Sequence, residues 1–331
     1  MSQPDNRYVV GIDIGGQTSK IGVVRSDGSI AGRRVIRTDG YGTDAASFVT
    51  DLACAVKQLL GGCGDPLVEG VGVGAPNANY FSGCIVNAPN ISWASGSSVP
   101  LARMLSSSLG GVKVSLTNDA NAAAIGEMAY GAARGMKDFI EITLGTGLGS
   151  GIVCGGQLVY GHDGHAGELG HVCINHHDDA RLCGCGKRGC LEAYASSTGV
   201  TRTAREWLND RPDDPSPLRY VEHLNSKAVY DAAVMGDPLA NEIFQYTGKL
   251  LGRAFADFVA FSAPEAIILF GGLARAGELL RGPVVEAMEK NLMEIWKGKI
   301  KVLFSTLPES DAAILGASAL GWNNLLTNND K

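Results

Sequence analysis

Three cysteines lie within eight residues in the segment CGCGKRGC, as Cys183, Cys185 and Cys190. A disulfide between cysteines one residue apart is rare because its ring would be strained, and the C-x-x-C spacing of a redox pair is absent. Three thiolates and one imidazole form a recognised tetrahedral zinc set. The spacing therefore predicts a structural zinc site and leaves its fourth ligand open. The candidates are His162, His165, His171, His176 and His177.

Two further motifs place carboxylates in glycine-rich surroundings. AGELGHVC contains Glu168 and His171 three residues apart, and GCLEAY adds Glu192. Carboxylates and an imidazole can form paired hydrogen bonds with the vicinal hydroxyls of a sugar. A glutamate is more often a solvated surface residue, but the glycines around Glu168 favour a binding role.

The segment TNDANAAAIGE contains the strongest candidate for a catalytic base. Asn118 and Asp119 follow a short strand and precede an alanine-rich helix. A helix N-terminus stabilises an ionised carboxylate. Asp119 is therefore either a plain helix cap or a base that accepts a proton from a hydroxyl attacking phosphorus. The two roles are compatible, and the residues alone do not choose between them.

Three glycine turns follow apolar strands, and such turns let backbone N–H groups face phosphate oxygens. Two of them carry hydroxyl or amide side chains beside the glycines, so together they predict a nucleotide-binding cleft. The residues concerned are Gly15, Gly16, Gln17 and Thr18, then Gly145, Thr146 and Gly147, and finally Gly271 and Gly272. The chain contains neither a P-loop motif nor a G-x-G-x-x-G motif that opens a helix.

Asp13 precedes the first of these turns. A carboxylate there would repel phosphate unless a cation lay between them, so a role in holding hydrated Mg²⁺ fits the position. The alternative is an aspartate that only stabilises the turn.

The elements that must position these residues alternate between strands and helices, which predicts an α/β fold. Residues 8–24 are expected to form a strand, a glycine turn and a second strand, and the same pattern recurs from residue 139. The recurrence suggests two duplicated α/β domains around a cleft. The alternative is that any glycine-rich hairpin resembles any other.

Composition limits the class of protein. A chain of 331 residues is long enough for about two domains, and its net charge of −6 argues against nucleic acid as a partner. The sequence contains no apolar run long enough for a membrane span, and its first residues do not resemble a signal peptide. We therefore expect a cytoplasmic protein with reduced cysteines. The five scattered cysteines are expected to be small buried hydrophobic residues.

Several motifs together resemble the ROK family of sugar kinases, and the resemblance spans essentially the whole chain. They are DIGGQTSKIGVV, TNDANAAAIGE, ITLGTGLGSGI, GHDGHAGELGH and CGCGKRGCLEAYAS. The resemblance implies a two-lobed α/β fold with a central cleft, of the actin, hexokinase and Hsp70 type (ribonuclease H-like). The smaller domain would span residues 1–118 and be joined by a C-terminal helix at about 311–331, and the larger would span 119–310 with the zinc loop.

The resemblance also implies an activity, which is the ATP-dependent phosphorylation of a hexose. The expected substrate is glucose, which would be phosphorylated on its 6-hydroxyl, and Asp119 would be the general base. The residues implied to hold the sugar are Asn90, Asn118, Asp119, Glu168, His171 and Glu192. Those implied to line the ATP site are Gly15, Gly16, Gln17, Thr18, Thr146, Gly147, Gly271 and Gly272, with Asp13 near Mg²⁺. The implied zinc ligands are His171, Cys183, Cys185 and Cys190. Family members are commonly dimers, so a homodimer is expected.

One residue departs from the family pattern, because Gln17 stands where the first phosphate turn usually has threonine. An amide can still donate to phosphate, but the departure bears on nucleotide affinity and on the choice of phosphoryl donor.

The alternatives within the family are an N-acetylglucosamine or N-acetylmannosamine kinase and a broad hexokinase. A sugar-responsive repressor is disfavoured, because only a few residues precede the first strand where such a protein carries a helix-turn-helix domain.

Overall fold

The structure is a computed structural model that describes residues 7–326, with side-chain surroundings for 7–308 and 311–322. Within this range the strands are β1 (Tyr8–Ile14), β2 (Thr18–Arg25), β3 (Ile30–Arg37), β4 (Val68–Gly74), β5 (Ala78–Asn79), β6 (Cys84–Val86), β7 (Ser98–Val99), β8 (Val114–Thr117), β9 (Phe139–Leu144), β10 (Leu148–Cys154), β11 (Gln157–Leu158), β12 (Ala266–Phe270) and β13 (Lys301–Phe304). The α-helices are α1 (Ala45–Gly62), α2 (Leu101–Ser108), α3 (Asp119–Tyr130), α4 (Glu192–Ala195), α5 (Ser197–Asp210), α6 (Ser226–Val234), α7 (Pro238–Ser262), α8 (Glu278–Asn291) and α9 (Glu309–Leu326).

Two five-stranded sheets share one topology. Their strand orders are β3-β2-β1-β4-β8 and β11-β10-β9-β12-β13, so in chain order each reads third, second, first, fourth, fifth. Each begins with an antiparallel hairpin around a glycine turn and continues with parallel strands. A shared strand order and a shared pattern of directions favour duplication over a chance resemblance of two hairpins. A separate small sheet contains β5, β6 and β7.

The chain divides into two compact units. The first comprises the chain up to Gly135, residues 158–166 and the chain from Thr306, and the second comprises residues 136–157 and 167–305. The first unit thus extends beyond residue 118, where the sequence places a boundary, because α3 packs closely against α9. At their crossing a Cβ on Gly126 would lie 2.8 Å from the Cα of Gly316.

A row of glycines lets α9 lie directly on the first sheet. Gly11 of β1 is opposite Gly22 of β2 and Gly72 of β4. A Cβ on Gly11 would overlap the carbonyl oxygen of Ile314, and one on Gly72 would overlap that of Ala317. Only glycine allows the helix backbone to come this close to the strands.

Each unit has its own hydrophobic core. In the first unit α1 packs on the sheet through buried residues that include Phe48 and Leu52, and in the second α7 contributes Phe244 and Phe255. No helix within residues 7–326 is both long enough and apolar enough to cross a membrane.

The expectation that the scattered cysteines are buried is wrong. Cys54 and Cys154 are exposed, and Cys63, Cys84 and Cys173 are partly exposed. Cys54, for example, lies on α1 but not among the residues that this helix buries, so apolar neighbours in the sequence did not place it in the core.

Candidate active site and metal cluster

In the first unit, three parallel strands bring two acidic residues together. β1, β4 and β8 are neighbours in the sheet, so their carboxyl ends meet at one edge. Asp13 is paired with Gly74 in the register of β1 and β4, and Asp119 follows the end of β8. A Cβ on Gly74 would lie 3.8 Å from the Cα of Asp119.

The helix cap at this edge is Asn118, and Asp119 is the first residue of α3. Asn118 Oδ1 accepts a hydrogen bond from the backbone N–H of Asn121 at 2.7 Å, and Asp119 Oδ1 accepts one from the N–H of Ala120 at 2.9 Å. Capping is therefore the task of Asn118. Asp119 keeps contact with solvent, while the protein around it partly desolvates the carboxyl and raises its pKa. A raised pKa suits a group that must accept a proton.

The pKa of Asp13 is raised to about 6, and the largest cause is burial of the carboxyl group. The positive charge of Lys20 acts in the opposite direction, whereas the negative charge of Asp119 raises the pKa further. Because the charge of Asp119 opposes the ionisation of Asp13, the two carboxyl groups form a set of oxygen ligands that a divalent cation would stabilise. The residues present therefore fit Mg²⁺ at this edge.

The first glycine turn is closed by backbone contacts. The N–H of Gly15 donates to the carbonyl of Thr18 at 3.0 Å, and the side chains of Gln17 and Thr18 are exposed. A Cβ on Gly16 would lie 2.6 Å from the carbonyl oxygen of Asn90. The turn is thus packed against the residue implied to contact the sugar.

The loop that carries Asn90 is fixed by a buried tryptophan. Trp93 stacks on Phe48 with ring centroids 4.5 Å apart, and its Nε1 donates to the carbonyl of Thr38 at 3.1 Å. The N–H of Thr38 in turn donates to the carbonyl of Gln17 at 2.8 Å. The same short segment therefore holds both the Asn90 loop and the first glycine turn.

In the second unit, the turn between β9 and β10 is held by α5. The carbonyl of Gly145 accepts from the N–H of Ser197 at 2.9 Å, and that of Thr146 accepts from the hydroxyl of Thr198 at 2.8 Å. Gly271 follows β12, the parallel neighbour of β9, and its φ of 95° is a conformation that favours glycine. The second and third glycine turns, including Gly272, therefore lie at one edge of this sheet.

Glu192 connects this turn with the cysteine cluster. Its Oε2 accepts a hydrogen bond from the N–H of Leu148 at 2.9 Å, and its Oε1 lies 3.4 Å from the Sγ of Cys183. The carboxylate that the sequence assigns to sugar binding is thus also a link between the two motifs.

The structure brings together one histidine and three cysteines. The potential ligand atoms of His171, Cys183, Cys185 and Cys190 all lie within 4.8 Å of one another. Sγ of Cys183 is 3.7 Å from Nδ1 of His171, and Sγ of Cys185 is 3.7 Å from Sγ of Cys190. Burial raises the pKa of Cys183 to about 12, so a cation is needed to hold this thiolate at neutral pH. The donor set and its convergence fit Zn²⁺.

Two of the rival histidines have other neighbours. Nε2 of His165 lies 3.3 Å from Nδ2 of Asn79, and Nδ1 of His176 lies 3.4 Å from Sγ of Cys173. His171 instead points Nδ1 toward the cluster, while its Nε2 lies 3.9 Å from Oε2 of Glu168. One ring can therefore face a metal ion on one side and, on the other, a carboxylate that the family resemblance assigns to sugar binding.

The sequence motifs do not include all the residues that surround the second glycine turn. A pocket of about 290 Å³ lies within the second unit beside Thr146, Gly147 and Glu192, and Thr198 and Arg202 of α5 also line it. Their signal in the sequence was the start of α5, where the hydroxyl of Ser196 caps the helix. A helix N-terminus next to a glycine turn is a favourable place for an anion.

Comparison of the sequence with models of known protein families identifies the class of protein to which this fold and these motifs belong. The sequence model of the ROK family matches residues 9–323, and the chain belongs to that family. The family membership predicted from the motifs is thus confirmed.

Relatives resemble the chain over nearly its whole length. It is 36% identical to a glucokinase of Thermotoga maritima, in a match that covers 94% of this chain and 96% of that protein. It is 34% identical to a glucokinase of Halalkalibacterium halodurans, in a match that covers 96% of this chain and 94% of that protein. A crystal structure of a ROK family glucokinase from Streptomyces griseus in complex with glucose and AMPPNP is 34% identical, with a TM-score of 0.77 over 96% of this chain and 99% of that one. The predicted fold class is confirmed by this match.

Proposed function

We propose that this protein is an ATP-dependent hexose kinase that transfers the γ-phosphoryl group to the 6-hydroxyl of glucose. The observation that carries the proposal is the position of Asp119, solvent-exposed at the start of α3 with Asn118 already acting as the cap. The similarity to glucokinases over nearly the full length supports the same substrate. So does the Streptomyces griseus relative, whose structure contains glucose and AMPPNP.

In the proposed mechanism Asp119 accepts the proton of the 6-hydroxyl as its oxygen attacks the γ-phosphorus. Because phosphoryl transfer needs mainly positioning and charge stabilisation, the other residues orient the reactants. Asn90, Asn118, Glu168, His171 and Glu192 would bind the sugar hydroxyls. The three glycine turns would bind the phosphates of MgATP, with Asp13 holding the hydrated Mg²⁺.

We also propose a structural Zn²⁺ on His171, Cys183, Cys185 and Cys190. A bound zinc ion would link His171 to the cysteines of residues 183–190, across the loop between them, and would neutralise the thiolates. Its effect on the reaction would be indirect, since the metal fixes the ring of His171 and thereby the environment of Glu168. Quantifying zinc in the purified protein tests this directly, and a stoichiometry far below one ion per chain would contradict it.

An ADP-release assay with a panel of sugars tests the activity. The panel contains glucose, mannose, fructose, N-acetylglucosamine and N-acetylmannosamine, each with Mg-ATP, and Asp119→Asn is the matched control. We expect the highest kcat/KM with glucose. Preference for an N-acetylhexosamine would replace glucose by that substrate, and no ADP release above that of a reaction without sugar would refute the kinase assignment.

We further propose that the protein is a homodimer in the cytoplasm. None of its eight cysteines forms a disulfide in the structure, which fits a reducing compartment. Light scattering at the peak of a sizing column tests the dimer, and a mass near that of the 34.5 kDa chain would contradict it.

A further inference from the structure

A fourth cysteine lies directly across from one of the metal-cluster cysteines. Cys173 and Cys190 are partners in an antiparallel bridge. The hydrogen bonds flanking them run from the N–H of Ile174 to the carbonyl of Gly189, at 2.8 Å, and from the N–H of Leu191 to that of Val172, at 2.9 Å. This pattern defines a non-hydrogen-bonded pair, in which the side chains point to the same face and the Cα atoms are about 4.5 Å apart. That separation lies within the range of disulfides.

The two thiols differ in access. Cys190 is fully buried and belongs to the group of four ligands. Cys173 is partly exposed and lies outside that group; its Sγ is 3.2 Å from the carbonyl oxygen of Asn175 and 3.4 Å from Nδ1 of His176. An oxidant from solvent can therefore reach Cys173, while its partner is held by the cluster.

We propose that Cys173 and Cys190 form an oxidation site at which a hydroperoxide produces a disulfide and displaces the zinc ion. The proposal rests on the zinc site proposed above. Cys173 is not needed as a ligand, because the set of four is complete without it, so its thiol is available for this reaction.

The reaction balances with hydrogen peroxide as the oxidant. The sulfur of Cys173 attacks one peroxide oxygen, the O–O bond breaks, and a sulfenic acid and one water form. The thiolate of Cys190 then attacks the sulfenic sulfur, so that the S–S bond forms and hydroxide leaves, which takes a proton from solvent. Two sulfurs are oxidised by two electrons in total, and the peroxide is reduced. The Zn²⁺ ion, having lost one of three thiolates, dissociates.

The expected consequence is a reversible loss of sugar binding. Without the metal, Nδ1 of His171 would lose the bond proposed to fix the ring, whose Nε2 lies 3.9 Å from Oε2 of Glu168. The oxidised protein should therefore bind glucose more weakly, and a dithiol with added Zn²⁺ should restore the binding.

The test uses the zinc-loaded full chain, with zinc content and kinase activity measured before any oxidant is added. Hydrogen peroxide is then added, released Zn²⁺ is followed with a chromogenic chelator, and disulfides are mapped by mass spectrometry of peptides. We expect release of the metal together with a Cys173–Cys190 disulfide. In Cys173→Ser and Cys173→Ala, release should be about ten-fold slower or more, with initial zinc content and activity like those of the unchanged protein. Cys154→Ser, which removes an exposed thiol of the same unit, should behave like the unchanged protein.

Two results would overturn the proposal. One is equally fast release from the Cys173 variants, and the other is a disulfide that joins only cluster cysteines, such as Cys185 to Cys190. Absence of zinc or of activity before oxidation would instead refute the proposed metal site or the proposed kinase, since both are measured on the reduced protein.

Discussion

The glycine turns of the two sheets have the same place in the topology but are closed by different kinds of group. The turn after β1 abuts the backbone carbonyl of Asn90, whereas the turn after β9 is bonded to the carboxylate of Glu192 through the N–H of Leu148. Both partners are residues proposed to bind the sugar. The duplicated architecture therefore links each glycine turn to a residue of its own unit that is proposed to bind the sugar, once through backbone packing and once through a charged side chain.

The strongest test of this division concerns Asp119, the proposed base, which lies in the first unit. Replacing Asp119 by Asn should lower kcat by about 100-fold or more, because the attacking hydroxyl loses its proton acceptor. Steady-state kinetics measures the effect, and an unchanged circular dichroism spectrum shows that the fold is intact. Turnover close to that of the unchanged protein would remove Asp119 as the base.

Among the described residues, the group of His171, Cys183, Cys185 and Cys190 has no counterpart at the first turn. Loss of the proposed zinc ion should therefore affect the proposed sugar site through the second unit. Cys185→Ser should reduce bound zinc and raise KM for the sugar by roughly 10- to 100-fold, and it should lower the melting temperature. Metal analysis, kinetics and thermal unfolding measure these effects, with Cys154→Ser as the control. Full zinc occupancy with an unchanged KM would contradict this prediction.

The coupling at the second turn can be tested with two neighbouring glycines. A Cβ on Gly147 would overlap Oε2 of Glu192, whereas one on Gly145 would meet no atom of the described residues within 4 Å. Gly147→Ala should therefore displace the carboxylate and raise KM for the sugar by about ten-fold, while Gly145→Ala changes it little. Equal effects of the two substitutions on that KM would show that Glu192 does not transmit the change.

The smallest expected effect concerns the stability of the first unit. Since burial raises the pKa of Asp13 from 3.8 to about 6, the folded chain keeps a proton between these pH values that the unfolded chain has released. The contribution of Asp13 to the free energy of unfolding therefore falls as pH rises through this window. Asp13→Asn should stabilise the metal-free protein by about 1 kcal/mol at pH 7, after allowance for partial exposure, and much less at pH 4.

Denaturant unfolding at the two pH values measures this difference. Lys20→Met is the matched comparison, because it removes the cation that lowers the pKa of Asp13 and should destabilise at pH 7. If Asp13→Asn destabilised the protein equally at both pH values, packing rather than ionisation would be the cause.

The local motifs of this protein could be predicted from the sequence because each depends on a few adjacent residues. The three-cysteine spacing indicated zinc, and the glycine turns indicated phosphate. The choice of His171 needed either the family resemblance or the structure, since five histidines are nearby in sequence and only folding separates their surroundings. The bond from Leu148 to Glu192 and the lining of the pocket by Arg202 join distant segments, and nothing in the local pattern shows them.

The unit boundary illustrates the same limit. A boundary after residue 118 agrees with the change from strand to helix, yet α3 belongs to the first unit because Gly126 allows it to pack closely against Gly316 of α9. Exposure of the scattered cysteines was mispredicted for a similar reason, since burial depends on which face of an element meets its neighbours.

The glycine row under α9 has a consequence for how the protein is made. The strands that carry Gly11, Gly22 and Gly72 are translated before the second unit, whereas α9, which covers them, is translated after it. At ordinary rates of translation, this face of the first sheet remains uncovered by α9 for roughly tens of seconds, while the second unit is synthesised. The first sheet thus gains its covering helix only after the second unit has been synthesised, so the first unit cannot complete its fold before that point.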